Sequence, residues 1–192
     1  DSIDSTNIRA KLEAEQGAES GLLVVADQQT AGRGRRGRGW ESPSGSNIYY
    51  TLMLKPDFNA DCAPMLTLVM ALAVAKGIRQ TLGRGSEEGA AKVGIKWPND
   101  IVVDGKKVCG ILTEMSMEQA YIHHIVIGVG INVRRQEFPE EIRDRAAAIE
   151  EQCGFRISRS QLIADIMEAF EEDYEIFLQT HDLKGLRDSY AK

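Results

Sequence analysis

Arginine and glycine alternate through Gly32-Arg33-Gly34-Arg35-Arg36-Gly37-Arg38-Gly39-Trp40, which sets four permanent cations in a short stretch of a chain whose net charge is -6. Glycine lets the backbone take positive φ and approach a ligand closely. The guanidinium fork matches carboxylates and phosphates. With Ser42-Pro43-Ser44-Gly45-Ser46 behind it, the polar, glycine-rich segment runs from about Gln28 to Ser46, a length that in a compact domain marks a functional loop. The chemistry it suits is closure over an anion. Gly32-x-Gly34-x-x-Gly37 also fits the dinucleotide fingerprint literally. That motif needs a helix beginning inside it, and Gly39, Pro43 and Gly45 follow instead. A disordered, RNA-binding Arg/Gly tract is the bland rival, but such tracts lie outside folded domains and this one sits between two strand-like segments.

A second group of polar residues stands at the ends of other apolar runs. Lys96-Trp97-Pro98-Asn99-Asp100 puts a carboxylate and an amide in a rigid turn. Lys107 follows seven residues later, and Asn132 closes Gly128-Val129-Gly130-Ile131. Asp4-Ser5-Thr6-Asn7 opens a helix. Each has an ordinary role as turn former, hairpin face, strand end or helix cap. Taken with the loop arginines they describe a site for a phosphate-bearing ligand and a carboxylate, where positioning and charge neutralisation are the catalysis. No Ser/His/Asp arrangement can be built from His123, His124 and His181, and the sequence holds no P-loop and no H-E-x-x-H.

The elements that must hold these residues are legible from periodicity. A short helix is predicted from near Ser5. Strands are predicted over Gly21–Ala26, Asn47–Leu54 and Val93–Trp97. Asp104-Gly105 predicts a hairpin between Ile101–Val103 and Lys107–Met115. Tyr121–Val133 reads as a central strand whose glycines admit a close neighbour. Ala63–Leu82 is apolar all round, which predicts a buried helix rather than a membrane span. Further helices are predicted over Glu140–Glu151 and Ser158–Gln179, the latter laying Leu162, Ile166, Ala169, Phe170, Tyr174 and Phe177 against the sheet. The order of elements is that of an α+β domain.

At 192 residues with 43% hydrophobic and 27% charged residues the chain is one globular domain. Its acidic balance argues against a general nucleic-acid or membrane binder. Three cysteines without C-x-x-C spacing argue against a disulfide framework or structural zinc site and predict a reducing cytoplasm. The opening on Asp1-Ser2-Ile3 reads as the interior of a domain.

These motifs together resemble the catalytic domain of biotin protein ligase. Gly32–Trp40 matches the family's G-R-G-R-R-G-R-x-W, Lys96–Asp100 its K-W-P-N-D, Lys107–Leu112 its K-x-x-G-I-L, Gly128–Asn132 its G-x-G-I-N and Asp4–Asn7 its D-S-T-N. The resemblance spans almost the whole chain in the family's order. It implies a class II aminoacyl-tRNA-synthetase-like α+β fold, a mixed β-sheet with flanking helices, over residues 1–192. It implies an ATP-dependent ligase that makes biotinyl-5′-adenylate and transfers biotin to a lysine of a biotin carboxyl carrier protein. Ser5, Thr6, Asn7, Gln29, Gly32, Arg33, Gly34, Arg35, Lys107 and Gly110 would then contact biotin. Arg36, Arg38, Trp40, Asn47, Lys96, Asn99 and Asn132 would lie on the nucleotide side. Lys107, Arg35 and Asp100 would serve the chemistry, with Mg²⁺ arriving on ATP rather than in a protein cage. The family's N-terminal helix-turn-helix has no counterpart here. The small C-terminal β-barrel would begin about where the chain stops at Tyr190-Ala191-Lys192. A homodimer is left open, as are a lipoate–protein ligase and a non-enzymatic biotin-sensing or RNA-binding fragment.

Overall fold

β-Branched and aromatic residues over 48–54 and 121–131 form the middle of a six-stranded sheet in the computed structural model, which describes residues 1–84, 92–119 and 121–190. Its strands are β2 (Leu22–Ala26), β4 (Ile48–Leu54), β5 (Val93–Lys96), β6 (Asp100–Val103), β7 (Lys106–Glu118) and β8 (Tyr121–Ile131). Their order is β2-β4-β8-β7-β6-β5, and every neighbouring pair is antiparallel. Among the described residues, parallel pairing is confined to a separate two-stranded piece, β1 (Ser2–Ile3) with β3 (Gln28–Gln29), and to one bridge between Lys107 and Ala146. Asp104 (φ 50°) and Gly105 (φ 76°) both take positive φ in the β6–β7 turn, as a two-residue hairpin loop of this twist requires.

Helices cover both faces. α1 (Thr6–Glu15), with Ser5 at its N-cap position, lays Ala10 and Ala14 on Met53 and Val126. On the other face α2 (Leu66–Gly83) is fully buried from Val69 to Ala75 against Ile48, Tyr50, Ile125 and Ile127. The stretch Ala60–Gly83 is long and apolar enough to cross a membrane by length and composition, and its burial identifies it as the core helix.

Two expectations need correction. The helix over 140–151 is replaced by turns to Arg145, an extended 146–148 and a short α3 (Ile149–Cys153). The reason is that the strand ends claim this backbone. Lys107 N–H donates to Arg145 O (2.7 Å), Ala147 N–H to Lys107 O (3.0 Å) and Ile149 N–H to Asn132 O (3.0 Å). Helix α4 (Arg159–Thr180), capped by Ser158 Oγ, buries the expected Leu162, Ile166, Phe170 and Phe177, but against α2 rather than the sheet. Gly77 permits this contact, since a Cβ there would lie 2.6 Å from Ile166 Cγ1.

Candidate functional site

The face of the sheet under α1 carries a floor built largely of glycines. Gly110 and Gly130 are register partners, as are Leu112 and Gly128. Trp40, the last residue of the basic loop, lies over that floor: a Cβ on Gly130 would be 2.5 Å from Trp40 Nε1 and one on Gly110 2.9 Å from Cζ3. The two glycines are therefore required by close approach of an aromatic ring.

Lys107 reaches the same floor through a β-bulge. In a regular strand a spacing of three puts two residues on opposite faces, so Lys107 and Gly110 should point apart. Register slips between Ile101 and Val102, which pair with Cys109 and Lys107 and leave Val108 unmatched. Val108 and Cys109 consequently both enter the core, and Lys107 is re-aimed to the side of Gly110. Its Nζ lies 5.3 Å from the Trp40 ring centroid and 2.7 Å from Asp100 Oδ1. That oxygen is buried and accepts no hydrogen bond from any described residue apart from this ion pair. Cys109 is no rival nucleophile, because burial pushes its thiol well above the usual range.

The basic loop closes on itself and on the sheet. Arg33 bridges Gly39, Gly34 N–H donates to Arg38 O (2.7 Å) and Trp40 N–H to Gly32 O (2.9 Å). Arg36 sits in the left-handed region (φ 58°, ψ 37°), a conformation disfavoured for a side chain of its size. Arg35 reaches across to the β5–β6 turn, donating to Asn99 Oδ1 at 2.7 Å. At the loop's base Asp27 accepts from Ser44 Oγ and Gly45 N–H and pairs with Arg159 at 2.8 Å. The Ser44 hydroxyl and then the Arg159 guanidinium hold the Asp27 carboxyl down at about 2.

The N-terminus of α1 forms the opposite wall. Thr6 donates to Gln29 Oε1 from its N–H (2.8 Å) and its hydroxyl (3.0 Å), and Gln29 Nε2 donates to Ser42 Oγ (2.9 Å). Asn7 accepts from Thr51 Oγ1 (2.7 Å) and uses its amide group on Glu114 Oε2 (2.8 Å) and Leu112 O (3.4 Å). The Ser5 hydroxyl caps nothing and faces the cavity.

Two adjoining cavities result. The inner one is lined by Ser5, Thr6, Asn7, Gln29, Arg33, Gly110, Leu112, Gly128 and Gly130 among others. The outer one is lined by Arg36, Arg38, Lys96, Asp100, Asn132 and Arg145 among others. Gly34, Arg35, Trp40, Asn99 and Lys107 line both and form the seam between them. The structure thus gathers every sequence-predicted residue but two. Gly32 stands just behind the floor, where a Cβ would lie 2.3 Å from Trp40 O. Asn47 does not enter either cavity: its Oδ1 accepts from Val133 N–H (3.0 Å) and its Nδ2 donates to Gln136 Oε1 (2.9 Å). Sequence reading missed Glu114, Ser42 and Arg145. Glu114 could have been found by extending the alternation Gly110, Leu112 one step along the strand.

A profile of the Biotin/lipoate A/B protein ligase family matches residues 1–132. With the fold and the double cavity, that places the chain in a class of α+β ligases, and the chain belongs to the Biotin/lipoate A/B protein ligase family. Within it the similarity is to biotin enzymes. The "Bifunctional ligase/repressor BirA" of Bacillus subtilis is 41% identical over 196 residues, covering all of this chain and 58% of the relative. The "Biotin--[acetyl-CoA-carboxylase] ligase" of Paracoccus denitrificans is 41% identical over 130 residues, 68% of this chain and 51% of that protein. The biotin protein ligase of Aquifex aeolicus in complex with biotin and ATP superposes with a TM-score of 0.76 at 32% identity, covering 93% of this chain and 70% of that one. The Leishmania major enzyme with biotinyl-5-AMP gives 0.71 at 28% identity, covering 91% and 73%. The chain spans 58% of the length of the Bacillus relative it matches end to end.

Proposed function

We propose that the chain activates biotin with ATP and transfers it to a lysine of a biotin carboxyl carrier protein. The observation that carries this reading is the seam. A carboxylic acid in the inner cavity and a nucleotide in the outer one would present carboxylate and α-phosphate to each other where Lys107 and Arg35 line both spaces. The carboxylate oxygen attacks the α-phosphorus, the bond to the bridging oxygen breaks, and pyrophosphate leaves with the electron pair. Two fixed cations offset the repulsion between these anions, and that offset grows as they converge. In the second step the acceptor amine attacks the anhydride carbonyl and AMP departs. Asp100 is placed to take the amine's proton once Lys107 turns from it to the phosphate.

The outer cavity's lining offers one carboxylate, Asp100, beside Asn99 and Asn132. That donor set suits Mg²⁺ carried mainly by ATP's own phosphates. Similarity to proteins named for biotin favours biotin over lipoate. We place the chain in a reducing cytoplasm, where ATP and a carrier protein are at hand.

The test is pyrophosphate release from ATP on adding biotin, followed by mass gain on a carrier domain, with lipoate as competitor. Biotin-dependent release and a labelled carrier are expected. Binding of biotin without release would leave a sensor, and a preference for lipoate would reassign the substrate.

A further inference from the structure

Glu114 lies on β7 two residues beyond Leu112, on the same face as Gly110 and Leu112, and outside both cavities. Its carboxylate nevertheless touches three residues on two segments that wall the inner one. Oε2 accepts from Asn7 Nδ2 at 2.8 Å, and Oε1 meets Lys11 Nζ at 2.9 Å and Arg33 NH2 at 3.5 Å. Asn7 and Lys11 belong to α1, Arg33 to the basic loop and Glu114 to the sheet. One half-buried carboxylate therefore fixes the distances between helix, loop and floor.

Asn7 shows why this matters for the ligand. Both of its amide hydrogens are used inside the protein, on Glu114 and Leu112, and its oxygen takes the Thr51 hydroxyl. It has no donor left to offer a ligand. Its work is to hold the helix start against the sheet, so that Ser5 and Thr6 face the cavity at a fixed height above the glycine floor. Of its two donor contacts, the one to Glu114 is the shorter, at 2.8 Å against 3.4 Å to Leu112 O.

The surroundings keep Glu114 ionised. Burial pushes its carboxyl up, but the Asn7 hydrogen bond, Lys11 and Arg33 together outweigh that and hold it below the usual carboxylate range. Two cations sit on one anion, so losing the carboxylate leaves Lys11 and Arg33 repelling each other across the wall.

We infer that Glu114 is a positioning residue for the first substrate: through Asn7 and Arg33 it sets the width of the inner cavity and hence the affinity for biotin, without touching biotin or serving the nucleotide side. The inference rests on the function proposed above. A wild-type protein that fails to bind biotin or to release pyrophosphate would overturn that function, so the wild type is the first arm.

In the second arm Glu114→Ala and Glu114→Gln are compared by calorimetric biotin binding and by the KM for biotin and for ATP. Hydrogen bonds to charged groups typically contribute enough that the alanine variant should bind biotin roughly 10- to 100-fold more weakly. Glutamine keeps an acceptor for Asn7 and loses only the charge, so a loss of about 3- to 10-fold is expected. The KM for ATP should stay within about twofold in both. The third arm is a cycle with Asn7→Ala: if Glu114 acts through Asn7, the double variant should bind biotin no more weakly than the worse single one. Should Glu114→Ala fail to fold, the glutamine variant and its cycle carry the decision. Unchanged biotin affinity in a folded variant, equal losses for biotin and ATP, or an additive cycle would each overturn the inference.

Discussion

Lys107 Nζ and Asp100 Oδ1 stand 2.7 Å apart at the seam between the two cavities, so the cation proposed for the first step and the carboxylate proposed for the second hold each other. Arriving anions compete for Lys107, and its departure frees Asp100. A partly exposed pair of this kind contributes only about 0.2–1 kcal/mol to stability. Removing a preorganised charge at a reacting centre costs about 10²–10³ in rate. Lys107→Ala should therefore melt near the wild-type temperature while single-turnover formation of biotinyl-adenylate slows by about that factor and biotin binding weakens much less. Lys107→Arg keeps the charge with different geometry and should fall between. A wild-type adenylation rate in the alanine variant would refute the role and point to Lys96, which lines the outer cavity.

The base of the basic loop should be acid-sensitive. Asp27 is held at about 2 in the folded protein, below its ordinary 3.8, by Ser44 and then Arg159. A depressed carboxylate stabilises the folded state fully above its unfolded value, and the contribution is lost as pH falls from about 4 toward about 2. Thermal melts across that window should drop more steeply for the wild type than for Asp27→Asn, which has no proton to gain there. Parallel curves would show that the contact contributes nothing to the loop's anchorage.

Motifs were legible where chemistry dictates residue type, as in the loop arginines, the lysine before the glycine and the K-W-P-N-D turn. Geometry was less so. The three-residue spacing of Lys107 and Gly110 looks wrong for one face of a strand, and only the bulge at Val108 reconciles it. Glu114 was hidden because a glutamate flanked by Thr113 and Met115 reads as the solvent side of a hairpin. Its meaning depends on Asn7, 107 residues away. Glu140–Glu151 failed as a helix because strand-end groups of Lys107, Asn132 and Val133 take the backbone of 145–150, a long-range claim that helical periodicity does not encode. The resemblance puts Asn47 on the nucleotide side, whereas its amide closes the end of β8.

Gly128 tests the floor. A Cβ there would lie 2.0 Å from Asn7 Oδ1 and 2.8 Å from its Cγ, closer than real contacts allow. Gly128→Ala must displace Asn7 from Thr51 and Glu114. Overpacking of this kind costs about 1–3 kcal/mol, and biotin affinity should fall with stability. Gly94→Ala is the control: its Cβ would meet Val102 Cγ2 at 3.5 Å, an ordinary contact. Equal melting temperatures for the two variants would mean that the Asn7 contact is loose.

The basic loop is expected to move over the site. Trp40 lies on the glycine floor and lines both cavities. Arg35 latches the loop through Asn99 at 2.7 Å, and this exposed hydrogen bond is the main tie between the loop tip and the β5–β6 turn. Net hydrogen-bond contributions of about 0.5–1.5 kcal/mol are small enough to break on entry and to re-form over a bound adenylate, where Arg35 gains a phosphate as well. Arg35→Ala should thus leave the melting temperature nearly unchanged, speed loss of biotinyl-adenylate several-fold, and raise cleavage by trypsin at Arg33, Arg36 and Arg38. In the wild type, biotin with ATP should slow that cleavage and the amide exchange of residues 32–40. Equal protection with and without ligands would show that the loop does not move over the site. A lowered melting temperature in Arg35→Ala with unaltered adenylate release would make Arg35 a structural tie and leave Lys107 alone at the seam.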